Sequence, residues 1–131
     1  MEYPQFYEAD LMRFFENHPE EQAVYETLEA RMAERFPDAS VRVQKSQISF
    51  YNRHLFAAAS LPLRRKKGWP ARCLMVTFGW GTKCPSPRIA VATEPYPGRW
   101  THHVLLERSA DVDEELLSWL QAAYDFSMHK R

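Results

Sequence analysis

The 131-residue sequence lacks any long apolar run. Its longest nearly apolar stretch, residues 55–63, is far shorter than the roughly 20 residues that a membrane-spanning helix needs. Cysteine is scarce as well: the chain has only two, Cys73 and Cys84, so no framework of disulfide bonds is indicated. The first ten residues are acidic and contain no apolar segment of the kind found in signal peptides. We therefore expect a cytoplasmic protein without a membrane span.

Acidic residues are absent from the middle of the chain. Residues 39–93 contain ten cations and no acid, whereas residues 1–38 contain ten acids and three cations. Residues 94–131 contain seven acids and four cations, so a net charge of zero hides a basic block between two acidic ends. Such a block creates a positive field that suits an anionic partner. Alternatively, acidic helices and a basic sheet neutralise each other inside the fold.

Hydrophobic periodicity predicts helices near both ends of the chain. Apolar residues recur at helical spacing over residues 20–36, and prolines flank that segment on both sides. A shorter amphipathic turn is predicted at residues 10–17. Asp111 and Glu114 have the spacing of a capping box, which predicts that a terminal helix starts there.

Between the helices, apolar and polar residues alternate as they do in strands. Residues 41–43 and residues 48–51 have opposite parity, so we expect a turn between them near Lys45. Later strands are predicted at residues 72–80, 88–93 and 99–107, joined as an antiparallel meander. The sequence thus predicts one α+β domain over residues 1–131. Its antiparallel sheet of about five strands is flanked by N- and C-terminal helices on one face.

A hairpin is predicted around Asn52 and Arg53. If these two residues form its turn, Phe50 lies opposite Leu55 on the neighbouring strand. This register places Leu55 on the buried face of the sheet and Phe56 on the opposite, polar face. Because helices need to cover only one face, the polar face is expected to stay partly open.

Three stretches of the chain carry a family resemblance: QISFYNRHLFAAA, RWTHHVLL and ELLSWLQAAYDFS. Together they resemble the bacterial family catalogued as domain of unknown function 5655, over roughly residues 20–124. More distantly, the chain is similar to the small MmcQ/YjbR-type proteins, whose fold has been likened to double-winged DNA-binding domains. The resemblance implies the same α+β architecture, and it supplies no catalytic residues.

The polar hairpin and the basic loop that follows it form the candidate binding surface. Cations neutralise phosphates, and exposed aromatic rings stack on unpaired bases. We therefore predict a non-enzymatic binding module whose partner is nucleic acid or another polyanion. The candidate ligand-binding residues are Lys45, Gln47, Tyr51, Arg53, His54, Arg64, Arg65, Lys66, Lys67, Arg88 and Arg99.

Two other classes of function stay open at this point. A small-molecule binder or enzyme would use a pocket between sheet and helices, with His54, His102 or His103 as acid or base. A protein-interaction adaptor would use an edge strand or an aromatic patch, and a homodimer is one form of such pairing.

The paired histidines and the two cysteines give no sign of a metal site. Neighbouring side chains on a strand point to opposite faces, so His102 and His103 do not converge on one ion. His102 has the parity of buried residues, which favours a hydrogen-bonded place in the core. The two cysteines are eleven residues apart, a spacing that matches no compact metal motif. We predict no cofactor, no metal and no catalytic residue.

Overall fold

The structure is a computed structural model that describes residues 1–130. Its helices are α1 (Tyr7–Phe14), α2 (Pro19–Arg35), the 3-10 helix η1 (Ser109–Asp111) and α3 (Glu114–Met128). Its strands are β1 (Ser40–Val43), β2 (Ile48–Tyr51), β3 (Leu55–Ser60), β4 (Leu74–Trp80), β5 (Ile89–Tyr96) and β6 (Arg99–Leu106). The fold is α+β, as predicted. Within residues 1–130, no helix combines the length and apolar character that a membrane crossing requires.

The strands form one antiparallel sheet in the order β1-β2-β3-β4-β6-β5. The predicted antiparallel pairing is confirmed, but the sheet has six strands rather than about five. The prediction of a meander is wrong, because β6 lies between β4 and β5. Alternate residues of β6 are buried, which suits an inner strand, whereas β5 is largely exposed and contains Pro95. A proline cannot donate a ladder hydrogen bond, so β5 fits the edge of the sheet.

Helix α2 matches the predicted segment within one residue at each end, and Pro19 occupies its first turn. Its buried residues include Val24, Leu28 and Met32, which follow the helical spacing of the sequence pattern. Helix α1 starts at Tyr7, earlier than the turn that we predicted at residues 10–17.

The predicted start of the last helix at Asp111 is wrong. The N-cap of α3 is Asp113, whose carboxylate accepts a hydrogen bond from the Leu116 N–H at 2.9 Å. Asp111 instead closes η1, and its carboxylate accepts from the Glu107 N–H at 2.8 Å. Two acids near the start of a helix can both bond free N–H groups, and because the 3-10 turn ends at Asp111, Asp113 is left to cap α3.

Side chains of α2 and α3 pack against aromatic residues of the sheet. Tyr25 of α2 stacks with Phe50 at 6.3 Å between ring centroids. The ring centroids of Trp119 of α3 and Phe78 lie 5.9 Å apart. The backbone carbonyl of Trp119 accepts a hydrogen bond from the Trp80 indole N–H at 3.0 Å. Phe50 and Phe78 are both paired with Ala57, so they share one face of the sheet.

The predicted register of the β2–β3 hairpin is wrong. Phe50 pairs with Ala57 and Tyr51 pairs with Leu55, so an irregularity leaves Phe56 as an extra residue in β3. Leu55 is consequently 49% exposed and Phe56 only 3% exposed, the reverse of the predicted faces. Phe56 reaches the core, where its ring makes edge contacts with Phe36 at 5.2 Å and Tyr124 at 5.0 Å. The bulge thus gives the large ring to the core and leaves the smaller leucine outside.

Candidate functional site

A groove of about 340 Å³ lies beside the β2–β3 hairpin. We call it the hairpin groove, and its lining residues are Arg42, Gln44, Gln47, Ser49, Tyr51, Arg53, His54 and Leu55. Four of the candidate ligand-binding residues line it together, namely Gln47, Tyr51, Arg53 and His54. Seven of the eight lining residues carry a polar side-chain group, two of them are arginines, and none is a carboxylate.

Four lining residues are not among the candidate ligand-binding residues: Arg42, Gln44, Ser49 and Leu55. Arg42 pairs with Ser49 across the strands, and the alternation of β1 places Arg42 opposite the buried Val41 and the partly buried Val43. The alternation of β1 could therefore have identified Arg42 from the sequence. No sequence pattern identifies Leu55, since only the bulge turns this side chain outward.

Arg42 holds the aromatic ring of Tyr51 in place. The guanidinium carbon lies 4.8 Å from the centroid of the ring, within the distance of a cation–π contact. One guanidinium nitrogen, Nη2, also donates to the Tyr51 hydroxyl at 3.2 Å. The arginine therefore restrains the ring through its face and through its hydroxyl.

Ser49 forms the floor of the hairpin groove and is only 5% exposed. Its hydroxyl donates to Gln44 Oε1 at 2.6 Å and accepts from Gln47 Nε2 at 2.9 Å. Gln44 and Gln47 also frame the turn between β1 and β2, where the Gln44 N–H donates to the Gln47 carbonyl at 2.9 Å. A tight turn and one buried hydroxyl thus fix two amide side chains side by side.

The hairpin groove shares its sheet face with His103. The strand registers place Arg42, Ser49, Ala58, Thr77 and His103 in one row across the sheet. Successive strands lie about 4.8 Å apart, so Ser49 and His103 are separated by about 14 Å.

His103 links this face to the basic loop. Its Nδ1 forms a hydrogen bond with the Thr77 hydroxyl at 2.8 Å. Burial, together with the charge of Lys66, lowers the pKa of His103. The loop at residues 64–67 thus contributes to the electrostatic environment of His103.

Most cations of the basic block have no carboxylate partner. Within residues 1–130, only Arg72 and Arg88 of that block have a carboxylate oxygen within 4.0 Å. The other eight cations are Arg42, Lys45, Arg53, Arg64, Arg65, Lys66, Lys67 and Lys83. Direct ion pairs with the acidic helices therefore account for little of the charge segregation along the chain.

Seven candidate residues lie outside the hairpin groove: the four cations of the basic loop at residues 64–67, and Lys45, Arg88 and Arg99. Lys45 lines a neighbouring depression between α1 and the β1–β2 turn. Arg88 donates to Asp113 at 2.9 Å and to Glu115 at 3.0 Å, and so it ties β5 to the start of α3. Arg99 lies at the β5–β6 turn, beside the end of α3. The structure does not bring Arg88 and Arg99 to one shared pocket.

His102 belongs to the core, as its parity predicted. The imidazole is completely buried and stacks on Phe78 at 4.8 Å between ring centroids. Its Nε2 accepts from the Cys84 N–H at 2.9 Å, and burial lowers the pKa of His102. A neutral imidazole that accepts at Nε2 carries its proton on Nδ1.

The cysteines and the acidic side chains form no metal centre in the part of the chain that the structure describes. Cys73 and Cys84 are both buried free thiols, and burial is the main cause that raises the pKa of Cys73. No group of three or more His, Cys, Asp or Glu residues among residues 1–130 is arranged to hold an ion.

The fold and the groove together define a class: an α+β protein whose six-stranded antiparallel sheet carries a cation-lined groove on one face. Residues 13–127 match the family described as a domain of unknown function (DUF5655), so the protein belongs to this family, as its three motifs predicted. Comparisons with curated proteins and with solved structures gave no match. The more distant likeness to MmcQ/YjbR-type proteins stays a prediction.

Proposed function

We propose that the protein is a non-enzymatic binding module for nucleic acid. The contact surface in this proposal is the face of the sheet opposite α2 and α3, with the hairpin groove and the basic loop at residues 64–67 as its two parts. The observation that carries the proposal is that eight of the ten cations in the basic block lack a carboxylate partner among residues 1–130.

Uncompensated cations are what a polyanion requires of its partner. Each phosphate that a lysine or arginine neutralises releases condensed counterions, and this release drives binding. Among residues 1–130, the acidic helices pair with only two cations of the basic block, Arg72 through Glu20 of α2 and Arg88 through Glu115 of α3, whereas Glu114 of α3 pairs with Arg31 and Arg35 of α2. The other eight cations of the basic block are left to an external anion.

The spatial arrangement supports a polymer rather than a single small anion. The hairpin groove lies at the β1–β2 end of the sheet, and Lys66 acts on His103 about 14 Å along the same row. Within the loop, Arg65 donates to the Ala71 carbonyl at 2.6 Å, which braces the loop from inside. Cations spread over this distance suit several successive phosphates.

The test is fluorescence anisotropy of labelled single-stranded DNA, duplex DNA and RNA over a series of salt concentrations. We expect affinity to fall steeply with salt. The double variant Lys66→Ser/Lys67→Ser should reduce the slope of log affinity against log salt by about 1.4 for a single strand, which corresponds to two lost phosphate contacts.

The control removes the same charge elsewhere. Arg13 and Arg108 have side chains that are 75% and 71% exposed, on α1 and just before η1. The variant Arg13→Ser/Arg108→Ser should leave the slope close to that of the wild type. An equal fall in both variants would show that only net charge matters, and no binding even at low salt would refute the proposed function.

A further inference from the structure

We propose that the hairpin groove is a nucleobase-binding site, in which one unpaired base stacks on Tyr51 and forms hydrogen bonds with the amides of Gln44 and Gln47. This inference rests on the proposed function and specifies it: the preferred ligand is single-stranded nucleic acid rather than a duplex.

The two amides present opposite hydrogen-bonding groups to the groove. The Ser49 hydroxyl has one proton, so it can donate to only one of the two amides and must accept from the other. It donates to Gln44 Oε1 and accepts from Gln47 Nε2, which leaves the Gln44 NH₂ group as a donor and the Gln47 carbonyl as an acceptor. Exchanging the roles of the two amides would still leave one donor and one acceptor.

A neighbouring donor and acceptor complement the edge of a nucleobase. The pairing edge of an unpaired base carries a donor beside an acceptor, and proteins that bind single strands read this edge. In a duplex the same edge is occupied by the partner base. The amide pair therefore favours a base that is free of its partner strand.

Tyr51 supplies a restrained stacking surface. Aromatic side chains that stack on bases bind them without requiring a particular sequence, because every base has a flat face. The Arg42 guanidinium already lies over the ring at 4.8 Å and restrains it. A ring that is held before binding loses little conformational freedom when the base arrives.

Leu55 gives the groove an apolar wall. The bulge turns this side chain outward, where it is 49% exposed and lines the groove. A flat aromatic ligand would remove part of this apolar surface from water. The groove volume of about 340 Å³ is at the lower end of the range of ligand pockets, which suits one base rather than a larger ligand.

Cations at the rim suit the phosphates on either side of that base. Arg42 and Arg53 both line the groove, and His54 lies beside Arg53. The row toward His103 and Lys66 then offers a path for the rest of the strand. A peptide carboxylate would satisfy the arginines but not the aromatic ring and the amide pair at once.

The test compares three labelled ligands of equal length: a single strand, the same strand built from abasic sites, and a duplex. The abasic strand keeps the phosphates and lacks the bases. We expect the complete strand to bind at least about fivefold more tightly than the abasic strand, the lower end of the worth of one stacked base. Tighter binding of the duplex than of the single strand would overturn the inference.

Variants then locate the base within the hairpin groove. Tyr51→Leu should abolish the preference for the complete strand and leave the salt dependence unchanged, whereas Tyr51→Phe should retain most of the preference because the ring remains. Gln44→Ala/Gln47→Ala should weaken binding of the complete strand only. Gln121→Ala on α3 is the matched control, since this glutamine bonds Asp125 at the surface of the helix. Thermal unfolding of each variant checks that it is folded.

The outcomes separate the two proposals. If the complete and abasic strands bind equally and with a steep salt dependence, the base site is refuted and the proposed function stands. If neither strand binds at low salt, both proposals fail. If a free nucleotide displaces the strand at the same concentration as the strand itself, the groove is a nucleotide site and the inference of a strand-binding surface is overturned.

Discussion

Substituting Phe56 and Leu55 separately by alanine tests the bulge that shapes the hairpin groove. The structure places Phe56 in the core at 3% exposure and Leu55 outside at 49% exposure. Regular alternation from a two-residue turn assigns the two residues to the opposite faces. The observed and the predicted hairpin registers therefore give opposite rankings of the two variants by stability.

The contacts of Phe56 determine how large its effect is. Its ring packs edge-on against Phe36 at 5.2 Å and Tyr124 at 5.0 Å between centroids. Removing a buried phenylalanine loses the transfer free energy of the ring and leaves a cavity, which together lower the free energy of unfolding by about 3–5 kcal/mol. A domain has only about 5–15 kcal/mol in total, so Phe56→Ala should remove a large fraction of the stability.

The effect of Leu55 is much smaller. Leu55→Ala removes three side-chain carbons from a residue that is already about half exposed. At about 0.8 kcal/mol for each fully buried carbon, half burial gives a loss of about 1 kcal/mol. The same variant should weaken binding of a single strand, because Leu55 lines the hairpin groove.

Urea unfolding followed by tryptophan fluorescence measures both variants. We expect the midpoint of Phe56→Ala to fall far below that of Leu55→Ala, with similar slopes against urea. If Leu55→Ala is the more destabilising of the two, the bulge is absent and the predicted hairpin register is correct. In that case the hairpin groove would lose its apolar wall, and the base-binding inference would lose one of its supports.

Two further predictions concern charge and pH. Arg88→Gln should lower the free energy of unfolding by about 1–2 kcal/mol, because it removes the charged bonds that tie β5 to the start of α3. Burial raises the pKa of Asp113, but hydrogen bonds from the Leu116 N–H and from Arg88 outweigh this effect and lower the pKa overall. At pH values below about 4 the wild type should therefore lose stability, and Arg88→Gln should lose less because its Asp113 lacks the bond from Arg88. Burial lowers the pKa of both His102 and His103, so their neutral forms stabilise the fold fully above about pH 6.5. Urea midpoints should therefore fall as the pH decreases below about 6.5, and a midpoint that rises with this acidification would contradict the assignment.

Much of the fold could be predicted because its signals are local. Helix α2 follows from a repeat of 3.6 residues and its flanking prolines, and the opposite faces of His102 and His103 follow from the two-residue repeat of a strand. These patterns depend only on the backbone geometry of a short segment. The candidate residues Gln47, Tyr51, Arg53 and His54 line one groove for the same reason, since one hairpin carries all four.

The errors concern features that depend on contacts between distant segments. The position of β6 inside the sheet depends on its pairing with β4, which leaves the exposed, proline-containing β5 at the edge. The ion pairs of Arg88 with Asp113 and Glu115 likewise could not be predicted, because these carboxylates lie on another element. A linear pattern shows which residues carry charge, but not which charges meet.

By itself, the sequence determined the α+β class, the family, and the acid-free block of cations between two acidic ends. Only the tertiary structure decided that Phe56 enters the core and that Leu55 faces outward, because the space beside the stacked rings of Phe36 and Tyr124 is formed by two parts of the chain that are distant in sequence. Filling that space with the larger ring requires a bulge in β3. The same bulge turns Leu55 toward the hairpin groove, so the packing of the core sets the shape of the proposed binding site.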